Sequence, residues 1–185
     1  MDTFRVEELM VPLAEYATIS SGSTLHEAVL ALEKSQEEFD QSKYRHRSIL
    51  VLNRKGRVIG RLNHLDALKA LIPEHDGHLG TDRLGKFGFS NSFIRKLHQQ
   101  RLQRAIPLDQ LCTNAKAFKV EDYMRSHKES EFIDYQADIT TAIHQLIQEN
   151  LRSLLVSRQD EIIGILRLTD IFSIIYHTMA RPEVA

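Results

Sequence analysis

Apolar positions along the chain recur with two periods, and they do so twice in the same order. Leu25, Ala28, Val29 and Leu32 follow the i, i+3, i+4, i+7 spacing of a helix with one apolar face. Two short apolar runs come next, residues 48–52 and 57–62, separated by Arg54-Lys55-Gly56, and they predict a β-hairpin. Leu65, Leu68, Leu71 and Ile72 then return to the helical period. Further along, Ile139, Ala142, Ile143 and Leu146 predict a second amphipathic helix. The runs 153–157 and 161–166, around Gln159-Asp160, predict a second hairpin. Ile171, Phe172, Ile175 and Tyr176 predict a second closing helix. A short strand is expected before the first helix of each series, near residues 17–20 and 132–135. Thr24 with Glu27 has capping-box spacing, and Asp138 is placed to cap the later helix. The order is β-α-β-β-α, twice.

Residue identities follow the same repeat. Val-Glu-Glu-Leu-Met at 6–10 answers Val-Glu-Asp-Tyr-Met at 120–124, and Ile19, Ala28 and Leu32 answer Ile133, Ala142 and Leu146. Arg47-Ser48-Ile49-Leu50-Val51 lies on Arg152-Ser153-Leu154-Leu155-Val156, Ile59-Gly60 on Ile163-Gly164, and Asp66 on Asp170. Length differences fall between the elements, as they do in structural repeats. The expected class is α+β, with residues 1–72 as the first repeat and 120–185 as the second. Three short strands and two helices cannot cover both faces of a sheet, so the copies are expected to pack on each other with pseudo-two-fold symmetry. Residues 73–119 form an insert of loop and helix. Pro73 ends the first closing helix, and Phe93, Ile94, Leu97 and Leu102 suggest a helix that stops near Pro107.

Val-Glu-Asp-Tyr-Met at 120–124 and Gly164-Ile165-Leu166-Arg167-Leu168-Thr169-Asp170-Ile171, each echoed in the first copy, resemble the CBS domain. That family, named for cystathionine β-synthase, occurs as tandem pairs called Bateman modules. The resemblance spans residues 6–72 and 120–179. It implies a stand-alone regulatory module, not an enzyme, with no required cofactor. AMP, ADP, ATP, S-adenosylmethionine or a cyclic dinucleotide would bind in clefts between repeats and signal to a partner protein. It also implies a homodimeric disc of four repeats, and the run Ile171, Phe172, Ile174, Ile175 and Tyr176, apolar beyond one face, calls for such cover.

In the resembling family an aspartate in the first turn of the closing helix binds ribose hydroxyls, which points here to Asp170 and Asp66. Three residues earlier the family places Ser or Thr against phosphate; this chain has Arg167 and Asn63 instead. Arg167 offers a planar fork to phosphate, or else fills the cleft as a plug. On the first alternative the Asp170 cleft should be the tighter one and prefer phosphorylated ligands. Asn63 and Asp66 also have the spacing of a local helix cap. Arg47 and Arg152 occupy positions that face the cleft in similar proteins, or are solvated strand-edge arginines. Gly60 and Gly164, inside strands, allow close approach of a ligand or of a neighbouring helix.

Composition trims the alternatives. The chain has 185 residues, 42% of them hydrophobic, and a formal net charge of −1, which argues against a nucleic-acid or membrane surface. Cys112 is the one cysteine, so no internal disulfide forms; it is expected to pack where the chain approaches the second copy. Residues 1–5 do not begin a signal peptide, and the aliphatic run 162–166 is too short to span a bilayer, so a soluble cytoplasmic protein is expected. From Arg83 to Leu108 there are six basic residues and no acidic one. A structural module that contacts a partner through residues 83–108 is the alternative function. The stretch is expected to pair with Glu37, Glu38 and Asp40 rather than with a polyanion. Gly80-Thr81-Asp82-Arg83-Leu84-Gly85-Lys86 is followed by Phe87, which removes the hydroxyl a phosphate-binding loop needs for magnesium. His75, Asp76 and His78 lack a second cluster with ligand spacing, so no metal site is expected.

Overall fold

The structure, a computed structural model, describes residues 4–38, 46–71, 90, 92 and 107–180. The Pro73 stop, the helix around residues 93–102, the loop at 80–86, the histidines at 75 and 78, and the pairing of the basic stretch with Glu37, Glu38 and Asp40 all lie outside the described residues. So does most of the stretch 83–108 itself.

In chain order the elements are α1 (Val6–Leu9), β1 (Val11–Pro12), β2 (Thr18–Ser20), α2 (Leu25–Glu38), β3 (Ser48–Leu52), β4 (Val58–Asn63) and α3 (His64–Leu71). Helix α4 (Leu108–Ala115) leads into the second copy: β5 (Phe132–Asp134), α5 (Ile139–Gln148), β6 (Ser153–Arg158), β7 (Glu161–Arg167) and α6 (Leu168–Met179). Both copies have the predicted β-α-β-β-α order. In each, the first strand runs parallel to the second and the hairpin closes the sheet.

Local chemistry sets the boundaries of these elements. Thr24 N–H donates to Glu27 Oε2 at 2.7 Å and Glu27 N–H to Thr24 Oγ1 at 3.2 Å, which is the reciprocal cap that starts α2. Asp138 Oδ1 accepts from Thr141 N–H at 2.9 Å and starts α5. Gln159 and Asp160 both adopt positive φ (49° and 64°), the backbone that lets a two-residue hairpin turn follow the twist of its strands.

The copies exchange their opening segments. Val6 N–H donates to Ala137 carbonyl at 2.9 Å, and Phe4 carbonyl accepts from Ile139 N–H at 3.0 Å, so the first copy's opening lies over the start of α5. The second copy's opening does the same to α2: Val120 N–H donates to Ser23 carbonyl at 3.0 Å, and Leu25 N–H to Phe118 carbonyl at 2.9 Å. Beyond these contacts β1 adds to the edge of β7 with Val11 opposite Ile165, giving the sheet order β1-β7-β6-β5. Arg125 likewise pairs with Arg61 at the edge of the sheet β2-β3-β4. Val6 is fully buried with Ile133, Leu146, Leu154 and Ile171 of the second copy, and Val120 with Leu25, Ile49 and Leu62 of the first. Each core is therefore completed by a valine from the other half, and the two repeats are held as one unit by burial of apolar surface.

The exchange explains the strand glycines. A Cβ on Gly60 would stand 2.5 Å from Met124 Sδ and 3.1 Å from Arg125 carbonyl, and one on Gly164 would stand 2.6 Å from Val11 carbonyl and 2.9 Å from Met10 Sδ. The close approach is made by the crossing segment, not by a neighbouring helix. Cys112 is exposed on α4, and α4 packs against α2 and α3 of the first copy, so the expectation of a packed cysteine is corrected. Among the described residues no helix is long and apolar enough to cross a membrane.

Candidate functional site

Each closing helix follows its strand without a loop, so strand and helix together fix the aspartate of the first turn. Asp66 lies in the first turn of α3 and Asp170 in that of α6. In the first copy the local cap is formed: Asp66 N–H donates to Asn63 Oδ1 at 2.9 Å, and Asn63 N–H to Asp66 Oδ2 at 3.3 Å. In the second copy the same two positions carry an ion pair. Arg167 Nε donates to Asp170 Oδ2 at 2.8 Å and Oδ1 at 3.1 Å, Nη2 donates to Oδ1 at 2.5 Å, and the Arg167 backbone N–H donates to Oδ2 at 3.0 Å. Arg167 is buried, which an arginine accepts only when paired.

Two residues of the first copy, Tyr16 and His46, lie within electrostatic reach of this pair. Tyr16 and His46 are buried, with ring centroids 4.3 Å apart, and Tyr16 Oη and Ser48 Oγ share a hydrogen bond of 2.9 Å. Burial pushes the Tyr16 hydroxyl pKa up, against the Ser48 bond and the charges of Arg167 and Arg61. Burial, helped by the charge of Arg167, lowers His46 to about 4. His46 is thus neutral at neutral pH, beside the ion pair of Arg167 and Asp170.

A second polar cluster bridges the copies. Arg61 on β4 reaches Glu131 Oε1 at 3.2 Å through Nη2 and Ser153 Oγ at 3.3 Å through Nη1. His127 Nδ1 lies 3.5 Å from Glu131 Oε2, and burial followed by the charge of Arg61 lowers the pKa of that histidine.

Of the six residues named from the sequence, Asn63 and Asp66 meet, and Arg167 and Asp170 meet. Arg47 and Arg152 are exposed at the starts of β3 and β6; the Arg152 carbonyl accepts from Leu168 N–H at 2.9 Å and so ties β6 to the start of α6. Sequence reasoning missed Tyr16, His46, Arg61, His127 and Glu131. A signal existed: Glu131 stands where the first copy has Ala17, His46 where the second has Leu151, and Arg61 where it has Ile165. A polar side chain that replaces an apolar one within a repeat marks a place where the halves differ in chemistry.

The family model for the CBS domain matches residues 6–73 and 120–177. Among solved structures, an uncharacterized conserved protein from Pyrococcus horikoshii is 14% identical, with a TM-score of 0.60 over 100% of both chains. A CBS domain-containing protein of unknown function from Bacillus anthracis str. Ames Ancestor is 18% identical, with a TM-score of 0.59 over 94% of each chain. CBSX2 in complex with AMP is 15% identical, with a TM-score of 0.58 over 95% of this chain and 98% of that one. At these identities the likeness is one of fold. A search of curated proteins found no match.

Proposed function

Because the chain belongs to the CBS domain family and carries that domain twice, we propose that it is a regulatory module that binds adenosine nucleotides between its repeats. The observation that carries this reading is the placement of Asp170 in the first turn of α6, paired with Arg167 and within electrostatic reach of Tyr16 and His46 of the other copy. A carboxylate so placed accepts hydrogen bonds from a ribose diol, and an arginine three residues before it meets phosphate. Asp66 holds the equivalent place in the other cleft. The AMP bound to CBSX2 supports an adenine nucleotide as the ligand class. Occupancy then reaches a partner protein through a ligand's different affinities for two arrangements of the repeats. The reading needs no resident cofactor and no catalytic group.

The module works as a homodimer. Helices α3 and α6 expose Leu65, Leu68, Phe172, Tyr176 and Met179, an apolar surface that a second copy covers. Light scattering should give a dimer, and Phe172→Arg should give a monomer; a monomeric unmodified chain would remove the dimer from the account. A panel of nucleotides in a thermal-unfolding assay tests the ligand class. A ligand that binds only the folded chain raises its melting temperature. AMP or ATP should do so, and no rise with any adenosine compound would contradict the reading.

A further inference from the structure

We propose that Arg61, Glu131 and His127 form a proton-operated switch on the contact between the repeats. A proton taken up by His127 moves Glu131 from Arg61 of the first copy to the histidine of its own copy. The three meet where β4 of the first copy faces the turn before β5 of the second. The side chains of His127 and Glu131 are 6% and 5% exposed, and Nδ1 lies 3.5 Å from Oε2. Arg61 holds the other carboxylate oxygen, Nη2 to Oε1 at 3.2 Å, and reaches Ser153 Oγ through Nη1 at 3.3 Å. Glu131 thus stands between a fixed cation of one repeat and a titratable ring of its own.

At neutral pH the ring is uncharged and its hydrogen bonding is incomplete. It faces two acceptors, Glu131 Oε2 and the Gly60 carbonyl. A neutral imidazole has one N–H to offer them, and a charged one has two. Among the described residues neither ring nitrogen nor Glu131 Oε2 makes a hydrogen bond of normal geometry. Burial, followed by the charge of Arg61, keeps the proton off against the pull of Glu131 and the carbonyl. Arg125, Lys128 and Glu129, the charged neighbours along the chain, are exposed, so Arg61 and Glu131 are the charges that act on the ring.

The proton and Arg61 therefore compete for one carboxylate. With both in place the cluster would hold two positive charges against one negative, which is strongly unfavourable at such depth. Arg61 is the member that can leave. Its side chain is the most exposed of the three, at 16%, and its other side-chain partner is a neutral hydroxyl. Its backbone stays paired with Arg125, N–H to carbonyl at 3.0 and 2.8 Å, so the guanidinium can turn to water while the strand edge holds. His127 binds the proton more tightly once Arg61 has turned away. A fall in pH below the ordinary histidine value of 6.5 thus shifts the chain toward the released arrangement. Acid replaces a bond between repeats by one within a repeat.

A double-mutant cycle of Arg61→Met and Glu131→Gln in the full chain reads this bond, by urea unfolding in steps from neutral pH to the acid limit of folding. Titration of His46, common to all four chains, cancels in the cycle. The coupling between Arg61 and Glu131 should fall by about tenfold or more on acidification, on the scale of one charge-assisted bond. In a His127→Gln background, which cannot take up the proton, the coupling should persist over the same range. Coupling that is independent of pH in both backgrounds overturns the switch. So does a loss that is the same in both, which marks protonation of Glu131 itself. The unmodified chain gives a reading free of folding defects: the His127 ring resonances and the Arg61 Nε–H resonance should move together through one transition. Separate transitions, or a ring that does not titrate before the chain unfolds, overturn the proposal.

Discussion

Arg61 and Glu131 form an ion pair across the repeat interface, Nη2 to Oε1 at 3.2 Å, with side chains 16% and 5% exposed. The equivalent positions in the other half are Ile165 and Ala17, so this bond exists on one side only. Removing one partner of a buried pair leaves a charge without compensation, at a cost of roughly 3 kcal/mol. Arg61→Ala and Glu131→Ala should each destabilise the chain by about that much in urea, and the double variant should lose far less than the sum. Additive losses would mean that the pair contributes nothing as a pair.

The crossing segments make a second prediction. Gly164→Ala sets a Cβ 2.6 Å from Val11 carbonyl, part of the β1–β7 pairing, and should cost roughly 1–3 kcal/mol as an overpacked site. Gly60→Ala meets chiefly the flexible thioether of Met124, at 2.5 Å, and should cost less. Urea midpoints for the two variants check the order; an equal or reversed order would contradict the account of the exchange.

Much of this architecture was legible in the sequence because its determinants are local. Periodicity, the Thr24–Glu27 and Asp138 caps, and turn residues such as Gly56 act within a few positions, so the order of elements follows from them. The exchange of opening segments was not legible. Val11 opposite Ile165 and Val120 in the first copy's core are long-range choices that no local pattern encodes. The same holds for Tyr16, His46 and the Arg61–Glu131 bridge, which break the repeat instead of following it. Arg167 was found as a site residue and its plug-like alternative was open, but the i, i+3 spacing to Asp170 does not say which partner the guanidinium takes.

Stability should fall in acid through His46. This residue is 1% exposed, and burial, with the charge of Arg167 adding to it, lowers its pKa from 6.5 to about 4. Between those values the unfolded chain binds a proton that the folded chain refuses. Stability is therefore complete above about pH 6.5, declines as pH falls toward about 4, and levels off below. At ~1.4 kcal/mol per unit the contribution is roughly 3 kcal/mol. His127 is shifted in the same direction by its own burial. Urea midpoints at neutral and acid pH should differ less for His46→Phe than for the unmodified chain. An identical pH dependence in the variant would contradict this assignment.

AMP titrated by calorimetry into the unmodified chain, with Asp170→Ala and Asp66→Ala alongside, tests the central claim most directly. The account predicts binding to the unmodified chain and a loss of roughly tenfold or more at the altered cleft in each variant, since a hydrogen bond to a charged group contributes about 1.5–3 kcal/mol. A folded, unmodified chain that takes up no AMP, or AMP binding that neither substitution changes, would contradict it.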